Sequence, residues 1–285
     1  MPSRGGRGGG RGGRDREPLP RSVQVSKKLS WLLRHGAESE GLTLLPGGFL
    51  NLKDVLENRK IRGLKPTFEE IQELVRDNDK QRFTMAPVSA VSAQGIVTEE
   101  AMNGGGVAEI STKPQDWLIR ANQGHSIKVE DEGLLTPITL ENAPEVAVHG
   151  TTHAAWTLIV PSGGLKKMNR NHVHLASGLP AGFKSLAQEE NASTVEAPVI
   201  SGMRKTSTVL MFLDVEKALE SGLKLWKSDN GVILTEGDAE GLVKLGLFKR
   251  VEDRTGEGVL LEDGKIVKET PASWAGKGKG SGGRG

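Results

Sequence analysis

The chain has no cysteine, no tyrosine and only 4% aromatic residues among its 285 residues. Without cysteine, disulfide bonds, thiolate zinc sites and cysteine nucleophiles are excluded. No apolar run approaches the roughly 18 residues that a membrane-spanning helix needs. The N-terminus also lacks the apolar centre of a signal peptide. We therefore expect an intracellular protein, in the nucleus, the cytoplasm or both, with no membrane partner.

Positive charge is concentrated at the two ends of the chain. The net charge is +2, but residues 1–16 carry +4 and residues 275–285 carry +3, which leaves −5 for the remainder. The Gly/Arg-rich residues 1–21 and the Gly/Lys-rich residues 268–285 cannot form a core, so we predict two disordered tails. The first tail either binds RNA without sequence preference or only keeps the protein soluble. Any anion site between the tails requires a local cluster of basic residues.

All six histidines lie in four short polar blocks, each with arginine, asparagine, serine, threonine or glycine, and a fifth block carries an arginine in the same setting. Histidine titrates near neutral pH, and arginine binds phosphate through two parallel hydrogen bonds. Their concentration in a few blocks therefore indicates phosphate chemistry. The blocks are Leu29–Leu42, Ile119–Ile127, His149–His153, Met168–Ala176 and Ser201–Asp214.

The first half of the chain predicts three helices followed by a β-hairpin. Ser22–Gly36 has apolar residues at helical spacing and ends on a glycine suited to cap it. Asn51 and Thr67 are predicted to begin the next two helices. Arg82–Met85 and Trp117–Ala121 are predicted as strands. This order is typical of a winged-helix module, which we assign to residues 22–137.

The segment between these two strands, residues 86–115, has no regular periodicity and is rich in glycine, alanine, serine and glutamate. We predict a long disordered insertion at the tip of the hairpin.

Residues 138–267 predict a strand-rich second lobe with few long helices, because short β-like runs alternate with glycine, proline and asparagine. The predicted strands are Glu145–His149, Ala155–Val160, His172–Ala176, Val209–Leu213, Leu225–Lys227 and Val232–Leu234. The predicted short helices are Phe183–Gln188 and Val215–Ser221.

Two histidine blocks of the second lobe have alternative interpretations. His172 and His174 alternate along a strand and so share one face, but their block has no acidic or cysteine partner, and we expect no metal. His149-Gly150-Thr151 ends a β-like run. It is either a turn with a satisfied histidine or a place where a ligand approaches the backbone closely.

Three well-separated arginines, Arg34, Arg120 and Arg204, suggest a phosphate clamp, since one phosphate dianion accepts several charge-assisted hydrogen bonds. Each arginine alone is equally compatible with a surface salt bridge. Arg34 and His35 also stand where cations stabilise a helix C-terminus.

Taken together, these segments resemble the RNA 2′-phosphotransferase family, best known as tRNA 2′-phosphotransferases. Seven segments occur in the family's order over about residues 23–85 and 117–237. They read SKKLSWLLRHGAESEGL, GFLNLKDVL, KQRFTM, IRANQGHS, HGTTHAAWTLIVPSGGLKKMNRNHVHLA, SGMRKTSTVLMFLD and LWKSDNGVILTEG.

The resemblance implies an α+β protein, with a winged-helix-like RNA lobe followed by a strand-rich, ADP-ribosyltransferase-like NAD lobe. The implied catalytic set is Arg34, His35, Arg120 and Arg204. The implied NAD-binding residues are His149, Gly150, Thr151 and His174. Because the chain has no tyrosine, it cannot use the His-Tyr-Glu constellation of typical poly(ADP-ribose) polymerases.

The resemblance also implies a reaction in which an internal RNA 2′-phosphate is transferred to NAD as co-substrate, as the final step of tRNA splicing. Arg34, Arg120 and Arg204 would hold the phosphate, and His35 would contact or deprotonate the ribose 2″-OH. Lys28 and Lys80 are candidates for flanking RNA phosphates. We expect a monomer that acts on spliced tRNA. The alternatives are a transferase that ADP-ribosylates 5′-phosphate ends or protein, and a catalytically silent RNA-binding protein.

Overall fold

In a computed structural model, the chain is described for residues 18–98, 111–129, 133–180, 182–186 and 202–275. Several sequence predictions therefore lie partly outside the described residues. These are most of the Gly/Arg tail, residues 99–110 of the insertion, the end of the predicted helix at Phe183–Gln188, and residues 276–285 of the Gly/Lys tail. In the described parts of the chain, no helix combines the length and apolar character needed to cross a bilayer.

The N-terminal lobe is built mainly from helices that turn one apolar face inward. Val25 and Leu29 of the first helix and Ile71 of the last are fully buried. The predicted second helix is divided at Asn58, whose side chain accepts the backbone N–H of Lys60 and so begins a new helix. The helices are α1 (Arg21–Trp31), α2 (Leu52–Glu57), α3 (Arg59–Arg62) and α4 (Phe68–Arg76).

The predicted helix starts at Asn51 and Thr67 are confirmed, because both side chains accept a backbone N–H of the first turn. The predicted cap at Gly36 is wrong. The helical backbone continues from α1 through a π-helical turn, Leu32–Gly36, and a short 3-10 turn. This helical segment ends at Gly41, which has the left-handed φ of 75°.

A three-stranded antiparallel sheet completes this lobe, and it contains the predicted hairpin. Its central strand pairs with both neighbours, in the order β1-β3-β2. The strands are β1 (Leu50–Asn51), β2 (Phe83–Pro87) and β3 (Trp117–Ala121).

The prediction that the whole of residues 86–115 is a disordered insertion needs correction at both ends. Ala86 and Pro87 complete β2, Val91 forms an isolated bridge with Val97, and residues 114–116 form a 3-10 turn that leads into β3. Gly95 also packs against Pro46, so closely that a Cβ there would lie 2.3 Å from the Pro46 carbonyl. Close contacts with other parts of the chain therefore order segments whose sequence has no helical or strand periodicity.

The C-terminal lobe contains a sheet of nine described strands, in the order β14-β13-β12-β8-β5-β7-β10-β9-β4, and a separate β6-β11 pair. Leu135–Ile138 pairs along Leu225–Ser228, so this lobe begins before the predicted boundary at residue 138. The strands are β4 (Leu135–Ile138), β5 (Val148–Thr151), β6 (Gly164–Lys166), β7 (Val173–Ala176), β8 (Val209–Leu213), β9 (Leu225–Ser228), β10 (Val232–Thr235), β11 (Leu242–Lys244), β12 (Phe248–Asp253), β13 (Gly258–Glu262) and β14 (Lys265–Ile266).

Two helices accompany these strands, and one of them corrects a sequence prediction. The predicted helix at 215–221 is confirmed as α6 (Val215–Glu220), whereas the predicted strand Ala155–Val160 lies inside helix α5 (His153–Ser162). The Thr152 side chain caps α5. Trp156 is fully buried while Leu158 stays 71% exposed, so the inward face follows a helical rather than a strand period.

The last described residues fold back onto α5 instead of forming part of a free tail. Trp274 is 4% exposed and stacks on His153, with ring centroids 3.9 Å apart. The His153 Nε2 lies 2.6 Å from Asp253 Oδ1 of β12. The predicted tail boundary at residue 268 is therefore too early, because one buried aromatic ring orders the chain as far as residue 275.

We expect Trp274→Ala to lower the free energy of unfolding by about 3 kcal/mol, because it empties a buried aromatic site. Urea unfolding measures this, with Val267→Ala as the control, since Val267 is 56% exposed. Equal stabilities for the two variants would contradict the packing of this segment.

Candidate functional site

The candidate site lies where the loop after β3 meets the loop before β7. The backbone N–H of Asn171 donates to the His125 carbonyl at 3.1 Å, and the Asn171 side-chain amide donates to the same loop at 2.9 Å. The neighbouring Ser126 N–H donates to the Arg34 carbonyl at 3.0 Å. These bonds bring the π-helical turn of the N-terminal lobe against a histidine block of the C-terminal lobe.

Arg34 has a guanidinium whose charge the protein does not neutralise. Its Nε and Nη2 are buried and have no hydrogen-bond partner among the described residues. Burial, Arg82 and Arg170 lower its pKa to about 10, so the group stays cationic at neutral pH. A buried cation surrounded by other cations is costly unless an anion joins it, so this position is suited to an anionic ligand.

His35 follows Arg34 on the same turn. It lies near the group of cations formed by Arg34, Arg82 and Arg170, which we call the cluster. Its Nδ1 lies 2.8 Å from the Ser126 hydroxyl. Burial, Arg34 and Arg170 together lower its pKa below the usual value for histidine. The ring is therefore mainly neutral near pH 7, when it can accept a proton.

Two further arginines belong to this cluster, and sequence reasoning did not single them out. Arg82 directly precedes β2 and donates to the Asn78 side chain at 2.9 Å. Arg170 lies in the loop before β7, where burial and then Arg204 lower its pKa. Both occur in quoted motifs, KQRFTM and MNRNHVHLA, but only the fold reveals that they lie near Arg34.

His149 and His174 form a pair of neutral acceptors at the edge of the cluster. His149 Nδ1 donates to the His174 carbonyl at 2.8 Å, and His174 Nδ1 donates to the His172 carbonyl at 3.0 Å. These bonds assign the proton to Nδ1 and leave each Nε2 as an acceptor. Burial, and secondarily Arg170, lower the pKa of His174 to about 3. His174 Nε2 is buried without a partner in the described structure.

Gly150 and Thr151 lie beside this pair on β5, but they have structural contacts of their own. A Cβ on Gly150 would come within 2.4 Å of the Met203 side chain and 2.6 Å of the Ser207 hydroxyl. The Thr151 carbonyl accepts the Thr208 N–H at 2.8 Å. The glycine is therefore required for packing between β5 and the segment that carries Arg204.

Arg120 is not among the cations that act on Arg34, and both terminal nitrogens of its guanidinium already have partners. Its Nη2 is 2.8 Å from Asp229 Oδ2, and its Nη1 donates to the carbonyls of Gly133, Gly47 and Gly95 at 2.6, 3.2 and 3.4 Å. The side chain is nearly inaccessible, at 4% exposure. These contacts join both lobes and leave only the buried Nε of Arg120 without a hydrogen-bond partner among the described residues.

A cavity of about 660 Å³ lies on the Arg120 side of the molecule, with a mostly apolar lining that includes Phe83 and Leu134. None of the cations near Arg34 lines it, so it is separate from the candidate site.

The two predicted RNA-binding lysines lie in different parts of the N-terminal lobe. Lys28 is exposed on α1, and Lys80 is exposed in the turn before β2. The Lys80 carbonyl accepts the Asn230 side chain of the other lobe at 3.0 Å. Neither side chain is part of the cluster around Arg34.

The fold and the cluster define a two-lobed protein in which a group of cationic side chains from both lobes lies together. Comparison with known proteins identifies the family of this protein. Residues 20–237 match the RNA 2′-phosphotransferase, Tpt1/KptA family, and the chain belongs to this family. It is 36% identical to the zebrafish tRNA 2′-phosphotransferase 1 over 86% of this chain and 92% of that protein. It is 34% identical to the tRNA 2′-phosphotransferase of Saccharomyces cerevisiae over 80% and 85%.

We expect Arg120 and Arg34 to differ sharply in their effect on stability. Arg120→Ala should lower the free energy of unfolding by on the order of 3 kcal/mol, because it leaves three backbone carbonyls without their donor. Arg34→Met should leave it unchanged or raise it, because it relieves repulsion between cations. Urea unfolding of both variants tests this, and equal losses would contradict the distinction.

Stability should also fall in mild acid because of His125, which is 5% exposed. Burial and then Arg34 lower its pKa to about 3 in the folded protein, so between about pH 6.5 and 3 the unfolded chain binds a proton that the folded chain does not. Because of His125, the free energy of unfolding should fall by about 2 kcal/mol between pH 7 and pH 5. His125→Gln should reduce the pH slope of urea unfolding, and an unchanged slope would refute the assignment.

Proposed function

We propose that this protein removes an internal 2′-phosphate from RNA by transferring it to NAD. The observation that carries the proposal is the buried, unpaired guanidinium of Arg34, close to the cationic side chains of Arg82 and Arg170. Repulsion within this cluster opposes folding, and a phosphate dianion would relieve it through charge-assisted hydrogen bonds. The family to which the chain belongs takes its name from this phosphate transfer.

The NAD half of the proposal rests on His149 and His174. Each offers a neutral Nε2 acceptor, and His174 Nε2 is buried without a partner in the described residues. Ribose hydroxyls are donors that suit such atoms. We therefore interpret the strand-rich lobe as an ADP-ribosyltransferase-like NAD lobe. Thr151 would lie at the edge of the NAD site, and Gly150 is needed for packing.

The proposed chemistry has two steps. In the first, an RNA 2′-phosphate oxygen bonds to C1″ of the nicotinamide ribose, and the bond from C1″ to nicotinamide breaks. In the second, the ribose 2″-oxygen bonds to phosphorus and the bond to the RNA 2′-oxygen breaks. His35 would take the 2″-OH proton, a proton is returned to the departing RNA 2′-oxygen, and the RNA leaves with a 2′-OH. The other products are nicotinamide and ADP-ribose 1″,2″-cyclic phosphate.

The site residues would divide this work. Arg34, Arg82, Arg170 and Arg204 would hold the phosphate and reduce its repulsion from the NAD pyrophosphate. Arg82 takes the place in this set that sequence reasoning gave to Arg120. His35 is mainly neutral near pH 7 and is our candidate base for the 2″-OH.

The first lobe would bind the RNA. Its helices and three-stranded sheet suit a winged-helix-like module. The names of the relatives contain tRNA, and we propose spliced tRNA as the substrate. We propose that the protein acts as an intracellular monomer in the final step of tRNA splicing.

The reaction itself is the direct test. The purified protein is incubated with NAD and an RNA oligonucleotide that bears one internal 2′-phosphate, and the products are followed by mass. We expect 2′-OH RNA together with ADP-ribose cyclic phosphate. Arg82→Ala should reduce turnover at least about a hundredfold, as expected for the loss of one preorganised donor to the transition state.

Leu158→Ala, on the exposed face of α5, serves as the matched control and should keep full activity. Accumulation of ADP-ribosylated RNA without cyclic phosphate would indicate a transferase that ADP-ribosylates the RNA and does not remove its phosphate. No reaction of the wild-type protein would refute the proposal, and full activity of Arg82→Ala would refute this assignment of the clamp.

A further inference from the structure

Trp31 is a large aromatic residue that remains 39% exposed at the end of α1. It directly precedes the π-helical turn that carries Arg34 and His35. An exposed tryptophan four residues from the candidate base is unusual for a surface that only faces water, because its burial would be favourable. Its position beside the site suggests contact with a substrate.

The Trp31 ring is held in place from two sides. Gly36 lies so close that a Cβ there would come within 2.4 Å of the ring, so only glycine fits. The Lys60 ammonium of α3 lies over the ring, 5.3 Å from its centre. A fixed aromatic surface loses little entropy when a planar group stacks on it.

Cations extend from Trp31 along the same side of α1. Lys27 and Lys28 stand four and three residues earlier, which on a helix places them on the face of Trp31, and both are exposed. Lys60 is 3.8 Å from Glu40, a carboxylate that Arg59 also binds at 2.6 Å. The acid is therefore already paired, and the surface remains net positive.

We propose that Trp31, Lys60, Lys27 and Lys28 form a track for the RNA strand, in which a base next to the 2′-phosphate stacks on Trp31. Aromatic rings bordered by cations are the usual surface for single-stranded nucleic acid, because bases stack on the ring while phosphates pair with the cations. The track leads from His35 toward the start of α1. This inference rests on the proposed function and adds the residue that positions the RNA.

The test compares wild type with Trp31→Ala and Trp31→Phe under saturating NAD, on the phosphorylated oligonucleotide and on copies with an abasic site on either side of the phosphate. Trp31→Ala should raise the KM for RNA about tenfold, the expected loss for one stacked base. It should leave kcat and the KM for NAD unchanged, and Trp31→Phe should retain most of the affinity. On one of the two abasic copies, the KM of wild type should rise to the value that Trp31→Ala has on the intact RNA.

Leu158→Ala is again the matched control, an exposed apolar residue far along the chain from this surface. An unchanged KM for Trp31→Ala, or an equal loss on intact and both abasic RNAs, would overturn the track. Should Trp31→Ala fail to fold, Trp31→Phe and Lys60→Gln decide the question through the same KM comparison. If wild type does not remove the phosphate at all, the proposed function fails. The track is then judged by whether RNA quenches more tryptophan fluorescence in wild type than in Trp31→Phe.

Discussion

The ion pair between the buried Arg120 guanidinium and the half-exposed Asp229 carboxylate is the contact on which the arrangement of the two lobes depends. It joins the central strand of the small sheet to the turn between β9 and β10, and the same guanidinium collects the carbonyls of Gly47, Gly95 and Gly133. One side chain thus closes five segments into a single unit. Because the cluster around Arg34 draws on both lobes, its geometry depends on this remote contact.

The cluster brings cations close together, and their mutual repulsion opposes folding. Burial and like charge lower the pKa values of both Arg34 and Arg170, with Arg82 and Arg170 acting on Arg34 and Arg204 acting on Arg170. Elsewhere in the described chain, arginines such as Arg21 and Arg59 pair closely with glutamates. Leaving one group of cations without counter-charges favours the binding of an anion, which is the property that phosphate transfer requires.

Much of this protein could be predicted from residues that act locally. The helix starts at Asn51 and Thr67 depend on a cap a few atoms away, and the hairpin strands follow from alternating apolar residues. Arg34 and His35 stand on one turn because they are neighbours in the sequence, and their assignment to a catalytic site stays a prediction. Ala155–Val160 failed as a strand, because β-branched content favoured a strand while the Thr152 cap and packing against Trp274 favoured a helix.

The amino-acid sequence alone therefore determined the family, the order of the lobes and the residue types available for chemistry, since these depend on motifs and short-range periodicity. Tertiary structure decided which arginines meet. Arg82 and Arg170 are 88 residues apart in the chain yet both act on Arg34, whereas Arg120, which the sequence predicted for the phosphate clamp, contacts Asp229. The physical reason is that charge interactions depend on distance in space, which only the packing of the two lobes sets.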